Sequence, residues 1–176
     1  EAATANAQVH RRVGVALKKK DKLFSGGRSD EGAWVANIGN LDAFESLSEA
    51  CEEVGDESGF KCGLGIDVAA SSLWNVKERK YDYRREKRKR DSGEQLEFIR
   101  ELIREYHLVY VEDPFHEEDY EGFAELTKKV KNCLICGDDL FVTNSERLSR
   151  GIKVHAANAV IIKVNQVGTL ADAWET

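Results

Sequence analysis

The sequence predicts an α/β fold built around a parallel sheet, because short apolar runs alternate with helical patterns along most of the chain. Each run has about four to eight residues, which is typical of a strand buried on both faces. An ionisable residue closes four of these runs, and functional groups of parallel sheets gather at the carboxyl ends of the strands. The four residues are Asp67, Glu112, Asp138 and Lys163. Three carboxylates and a lysine at one edge of a sheet indicate a metal site with a base beside it.

The first half of the chain is predicted to contain two helices, a strand and a charged arm. Residues 1–20 and 41–54 carry apolar side chains at helical spacing, and Gly55 is expected to end the second helix. A strand is expected at 61–67. Residues 73–90 combine alternating aromatic side chains with many basic ones. A nucleic-acid patch is one interpretation, but the interspersed acidic residues and the acidic chain favour a solvated hairpin arm.

The second half is predicted to be a regular alternation of strands and helices. Ser92 with Gln95, and Thr143 with Glu146, have the three-residue spacing of a capping box, so a helix is expected to begin at each. The other expected elements are strands at 108–112, 132–137 and 159–163, a helix at 119–131 and a last helix after strand 159–163.

The composition indicates a globular protein. The 176 residues are 41% hydrophobic and 33% charged, and the net charge is −6, which argues against a general affinity for nucleic acid. No apolar run has the length of a membrane span and no signal peptide is recognisable, so we expect no membrane association. Four scattered cysteines suit a reducing, cytoplasmic location. The absence of methionine predicts that the sequence is a piece of a longer protein.

The spacing of the ionisable residues predicts that they lie on successive strands. Glu112 and Asp138 are 26 residues apart, and Asp138 and Lys163 are 25 apart. One βα unit takes roughly thirty residues, since a barrel of eight units needs about 250. Ligands that offer only oxygen favour a hard cation, Mg²⁺ rather than zinc. Asp113 and Asp139 are the adjacent alternatives, and Asp113, which precedes a proline, could serve only to shape the turn.

Lys163 has two interpretations that the spacing alone does not separate. Beside a metal ion the pKa of a buried lysine would fall, and the amine would then be a usable base. Alternatively, Lys163 could simply extend from the strand end into solvent.

Five segments in this order resemble the enolase family: SDEGAW, GIDVAASSLW, YVEDPFHEEDYEGF, GDDLFVTNSERL and IIKVNQVGTL. The resemblance covers nearly the whole chain and is closest to archaeal-type sequences. It implies that residues 1–176 form part of the TIM-like (β/α)8 barrel of the enolase catalytic domain, incomplete at both ends. The amino-terminal capping domain and the last barrel strands are then expected to lie outside this sequence. Ser29 stands where the family usually has glycine, and a serine there is unstrained only if its φ is negative.

The resemblance also implies a role for each candidate residue. Asp67, Glu112 and Asp138 would bind Mg²⁺, Lys163 would abstract a proton, and Glu31 would assist the departure of a hydroxyl group. The implied reaction of the parent protein is the glycolytic dehydration of 2-phosphoglycerate to phosphoenolpyruvate, by a cytoplasmic homodimer or higher homo-oligomer. Two alternatives are another enolase-superfamily enzyme acting on a different carboxylate and a non-catalytic binding protein derived from enolase.

Overall fold

The computed structural model describes residues 1–59 and 61–176, which divide into two compact units, residues 1–64 and 65–176. The first unit contains helices α1 (Ala2–Lys20) and α2 (Asn40–Ser58), which pack against each other. Apolar side chains on both helices are buried in this unit, among them Val9, Leu17 and Val54. The two predicted helices are therefore confirmed.

Helix α2 is longer than the sequence indicated. It continues through Gly55 and ends at Gly59, whose φ of 76° is left-handed. Either glycine could have been the stop, because the left-handed conformation that ends a helix suits any glycine. The strand expected at 61–67 is also shorter, since only Gly65–Asp67 pair with a neighbouring strand.

The second unit alternates strands and helices as predicted. Its elements in chain order are β1 (Gly65–Asp67), β2 (Trp74–Asn75), β3 (Lys80–Tyr83), β4 (Arg88–Arg90), α3 (Ser92–Glu105), β5 (Tyr110–Glu112), α4 (Tyr120–Lys129), β6 (Leu134–Gly137), α5 (Ser145–Val154), β7 (Ala159–Val160), α6 (Val164–Val167) and α7 (Leu170–Glu175). Within the described residues, β1, β5, β6 and β7 form one sheet in that order, and every neighbouring pair is parallel. The parallel α/β prediction is confirmed.

Residues 73–90 form the predicted arm, which comprises a small antiparallel sheet of β2, β3 and β4. Tyr81 and Tyr83 are buried beneath it, so neither ring is available to stack on a base. The guanidinium of Arg90 lies 4.2 Å from the ring centroid of Tyr83 and 3.8 Å from that of Phe98. The aromatic side chains of this arm therefore serve packing.

The helix starts differ from those predicted by one or two residues. The capping box of α3 is formed by Asp91 and Glu94, not by Ser92 and Gln95. Helix α5 is capped by Asn144, whose side chain accepts a hydrogen bond from the backbone N–H of Arg147. Asp and Asn are strong cap residues. Asp91 directly precedes the predicted cap Ser92, and Asn144 directly follows the predicted cap Thr143.

The strand expected at 159–163 stops early. Only Ala159 and Val160 form β7, and Lys163 is the N-cap of α6. Among the residues that the structure describes, no helix is both long and apolar enough to cross a membrane.

Candidate active site

The strand register brings Asp67 and Glu112 to one face and one end of the parallel sheet, with Asp138 and Lys163 following β6 and β7. Asp67 pairs with Glu112, and Glu112 pairs with Cys136. Asp138 lies two positions beyond Cys136, and residues two apart on a strand share a face. Gly137 pairs with Val160, so Ile161 is opposite Asp138. Lys163 lies two positions beyond Ile161. Offsets of this kind are expected where strands are tilted, as they are in a closing barrel.

An acidic cluster lies at this end of the sheet. Asp67, Glu112 and Asp113 each offer a carboxylate oxygen, and these oxygens all lie within 4.8 Å of one another. Opposite ligands of a Mg²⁺ ion are about 4.2 Å apart, because each Mg–O distance is about 2.1 Å. The spacing of these oxygens is therefore compatible with a small divalent cation, and oxygen donors suit a hard ion. Asp138 is not a member of this closest group, although the sequence predicted it as the third ligand.

Glu112 occupies the centre of the acidic cluster. Burial raises the pKa of this carboxyl, and the negative charges of Asp67 and Asp138 raise it further, whereas Lys163 lowers it. The phenol of Tyr110 donates a 2.7 Å hydrogen bond to Glu112 Oε2. Asp138 is thus close enough to Glu112 to act on its charge, so the three predicted carboxylates share one electrostatic environment.

Asp113 holds the loop that follows β6, whereas the sequence suggested a role only in its own turn before Pro114. Its buried carboxylate accepts hydrogen bonds from the backbone N–H groups of Asp138, Asp139 and Leu140, at 3.1, 2.8 and 3.4 Å. Burial raises the pKa of Asp113 to about 6, although the bonds from these N–H groups lower it. Because its oxygens are already used in this way, Asp113 holds the loop that carries Asp138 and is a weaker candidate ligand than its place in the cluster suggests.

Asp138 and Lys163 form an ion pair. Lys163 Nζ donates to Asp138 Oδ2, while Gln166 Nε2 donates to Asp138 Oδ1 at 2.6 Å. The Asp138 carboxylate is almost fully buried, whereas the Lys163 side chain is 43% exposed. Lys163 therefore turns back to the acidic site, and the alternative of a lysine extending freely into solvent is not what the structure shows.

Several backbone positions at this end of the sheet are left-handed. Ala69 follows β1, Asp113 follows β5, and Val142 and Thr143 follow β6, with φ values of 44°, 39°, 42° and 53°. Such values are uncommon outside glycine and are true outliers for β-branched side chains. Unusual backbone angles of this kind concentrate at functional sites, where the surrounding structure holds them in place.

Glu31 belongs to the first unit and lies in an exposed turn between α1 and α2. The backbone N–H of Gly32 donates to Ser29 O, and the N–H of Ala33 donates to Ser29 Oγ. Ser29 has no positive φ, so a serine is compatible with this loop. His10 contributes a contact between its Nε2 and Gly32 O at 3.0 Å. The approach of Glu31 to the acidic cluster stays a prediction.

Sequence reasoning missed three residues that support the site. Tyr110 was detectable, because it lies two positions before Glu112 on the same strand and hence on the same face. Thr143 was interpreted as a helix cap, but its hydroxyl accepts from the Lys163 backbone N–H. Gln166 entered the sequence analysis only within the segment IIKVNQVGTL. Nothing in the local pattern indicates that these last two side chains meet across the loop.

Taken together, the parallel sheet and the carboxylates and lysine at its carboxyl end define a βα-repeat protein with an acidic cluster at the strand ends. The chain belongs to the family of the enolase C-terminal TIM barrel domain, whose family model matches residues 1–176. It is 53% identical to the enolase of Methanosphaera stadtmanae over 177 residues, which cover 100% of this chain and 43% of that protein.

Two further archaeal relatives give the same result. The identity is 53% with the enolase of Methanothermobacter thermautotrophicus, covering 100% of this chain and 42% of the relative. It is 54% with the enolase of Pyrobaculum aerophilum over 170 residues, covering 97% of this chain and 40% of the relative. The chain therefore spans about two fifths of the length of these relatives. The resemblance and the barrel fold class inferred from the sequence are confirmed.

Proposed function

We propose that the protein in its full natural length catalyses the reversible dehydration of 2-phosphoglycerate to phosphoenolpyruvate, with Mg²⁺ as cofactor, in the cytoplasm. One observation carries this proposal: a buried aspartate paired with a lysine lies beside an acidic cluster at the carboxyl end of a parallel sheet. Family membership supports the same reaction, because the relatives named above are enolases. As in the sequence-based expectation, we propose a homodimer or larger homo-oligomer as the working form.

Asp67, Glu112 and Asp138 are the proposed metal ligands. Their oxygens suit a hard cation, and the pKa of Glu112 is raised by burial and by the other two charges, so a bound cation would relieve their repulsion. We prefer Asp138 to Asp113 as the third ligand, because the partners of Asp113 are backbone N–H groups of a loop, whereas the partners of Asp138 are the side chains of Lys163 and Gln166, which can turn away from a bound cation. When bound, the cation supplies positive charge that stabilises the substrate carboxylate as negative charge accumulates on it.

Lys163 is the proposed base and Glu31 the proposed assistant for hydroxyl departure. Lys163 Nζ lies against Asp138, so the amine is held beside the carboxylates rather than in bulk solvent. In its neutral form it would accept the proton from C2 of the substrate and later return it to water. Glu31 would donate a proton to the hydroxyl that leaves C3. Its exposure in the turn leaves the carboxyl accessible to a substrate.

The proposal is tested by the turnover of 2-phosphoglycerate, followed through the ultraviolet absorbance of the enol phosphate. We expect Mg²⁺-dependent turnover that a chelator removes. Lys163→Ala should lower kcat by about 10²–10⁴-fold, the range of a lost general base. Glu112→Gln, which removes a proposed metal ligand, should lower kcat by a similar factor. Glu101→Gln, the same substitution on the exposed face of α3, is the matched control and should retain parental turnover.

Two negative outcomes point to the alternatives. Mg²⁺ binding without turnover of 2-phosphoglycerate would indicate a superfamily enzyme with a different carboxylate substrate. Neither Mg²⁺ binding nor turnover would indicate a non-catalytic binding protein.

A further inference from the structure

A closed ring of hydrogen bonds joins the Asp138–Lys163 pair to two other residues, Thr143 and Gln166. The backbone N–H of Lys163 donates to Thr143 Oγ1 at 2.8 Å, and this hydroxyl donates to Gln166 Oε1 at 2.8 Å. Gln166 Nε2 then donates to Asp138 Oδ1 at 2.6 Å. The ring closes where Lys163 Nζ donates to Asp138 Oδ2. Lys163 is thus held at both its backbone and its side chain by the same circuit.

Only one direction of donation satisfies this ring. An ionised Asp138 can only accept, so Gln166 must turn its NH₂ group towards it and its carbonyl oxygen towards Thr143. Thr143 must then give its single hydroxyl proton to Gln166, which leaves the oxygen lone pairs free to accept the Lys163 N–H. The Asp138 carboxylate therefore determines the orientation of the Gln166 amide and, through it, that of the Thr143 hydroxyl, which in turn accepts from the backbone of Lys163.

The position of Thr143 is firmly fixed. Its side chain is fully buried, and its φ of 53° follows a φ of 42° at Val142. Two successive β-branched residues in the left-handed region are unfavourable and persist only where the surroundings determine them. The Thr176 hydroxyl contributes by donating to the Thr143 carbonyl oxygen at 2.9 Å. The hydroxyl at the centre of the ring is therefore held in one place.

We propose that Thr143 and Gln166 are positioning residues that orient the Asp138 carboxylate for the cation and Lys163 for the proton. This inference rests on the proposed function, in which Asp138 is a metal ligand and Lys163 the base. Gln166 Nε2 donates to Oδ1 and Lys163 Nζ donates to Oδ2, so the ring holds both oxygens of the Asp138 carboxylate. Neither Thr143 nor Gln166 needs to touch the substrate for this role.

The test compares four variants of the full-length protein. Thr143→Val and Gln166→Met keep the approximate side-chain size but remove the ring's hydrogen bonds, whereas Thr143→Ser keeps the hydroxyl. Thr127→Val is the matched control, because the Thr127 hydroxyl donates to Ala156 O, away from the carboxyl ends of the strands. The measurements are the Kd for Mg²⁺ by calorimetry without substrate, the hydrogen-exchange rate of the Lys163 backbone amide, and kcat with KM for 2-phosphoglycerate.

We expect Thr143→Val and Gln166→Met to weaken Mg²⁺ binding by about 10–100-fold, the usual effect of removing a partner of a metal ligand. Thr143→Val should also speed exchange of the Lys163 amide, which loses its acceptor. Thr143→Ser should restore both, and Thr127→Val should change neither. The turnover loss should appear mainly in kcat, because Thr143 and Gln166 are not proposed to contact the substrate.

Parental Mg²⁺ affinity in Gln166→Met, or a Thr143→Ser variant as weak as Thr143→Val, would overturn the inference. If Thr143→Val does not fold, Gln166→Met decides, since the Gln166 side chain is only half-buried. A parent that binds Mg²⁺ but does not turn over 2-phosphoglycerate would contradict the proposed function alone. The Kd comparison would still test the positioning of Asp138.

Discussion

Gly151→Ala should destabilise the protein, although alanine ordinarily strengthens a helix. Gly151 is buried in α5, and a methyl group there would lie 2.8 Å from Phe141 Cζ and still closer to Cε1. The ring cannot retreat easily, because its other edge lies 2.7 Å from where a Cβ on Gly137 would be. Overpacking a core of this kind costs about 1–3 kcal/mol, and the gain in helix propensity is at most about 1 kcal/mol. With the full propensity gain subtracted, we expect a net loss of up to about 2 kcal/mol.

The displacement should also reach the site. Phe141 belongs to the loop that carries Asp138, and its backbone N–H donates to Asp138 O at 3.2 Å. The assay is urea denaturation of the full-length protein, combined with the Kd for Mg²⁺. Gly93→Ala, near the start of α3, is the control, because a Cβ there would have only an ordinary 3.5 Å contact with Asp91 Oδ1. A Gly151→Ala protein that is more stable than the parent, as helix propensity alone predicts, would refute this reasoning.

Three further predictions concern the chemistry, this chain alone and the loop. Lys163→Ala should abolish exchange of the C2 proton of 2-phosphoglycerate with deuterated water. Glu31→Gln should block dehydration but leave some of this proton exchange intact. The opposite result would show that the two roles are assigned the wrong way round. The 176-residue chain alone should show no turnover above its own Lys163→Ala variant, because β7 is an edge strand of the described sheet and Trp174 is 92% exposed. Asp113→Asn should lower the free energy of unfolding by about 1.5–3 kcal/mol, measured in urea, because an amide NH₂ would face backbone N–H donors; an unchanged midpoint would contradict this.

The ends of the parallel strands were predictable because their pattern is regular. An apolar run followed by a carboxylate locates Asp67 and Glu112 correctly, and their pairing across two strands follows from the same pattern. Single-residue choices were not predictable. Gly55 and Gly59 are both able to end a helix, and nothing in the local pattern indicates that the helix ends at Gly59. Likewise, Lys163 was assigned to a strand because it follows apolar residues, although it begins a helix.

Contacts between distant residues were beyond the reach of the pattern. Thr143 has the local sequence of a helix cap, yet its hydroxyl bonds to residues 20 and 23 positions later. Asp113 was expected to shape its own turn, but its carboxylate accepts from the backbone N–H groups of residues 25 to 27 positions later. Such partners depend on how two strand-end loops approach each other, and no periodicity in either segment records that.

The left-handed residues at the strand ends affect how the protein can be stabilised by design. Glycine would relieve the strain at Val142 or Thr143, but it would also free the backbone that aims the site. His107 and His155 are left-handed too, with φ values of 50° and 53°, but they follow helices and precede the amino ends of β5 and β7. Glycine suits these helix ends and would leave the acidic cluster unchanged. Stabilising substitutions can therefore be made at the amino ends of the strands, while the carboxyl ends have to keep their strained backbone.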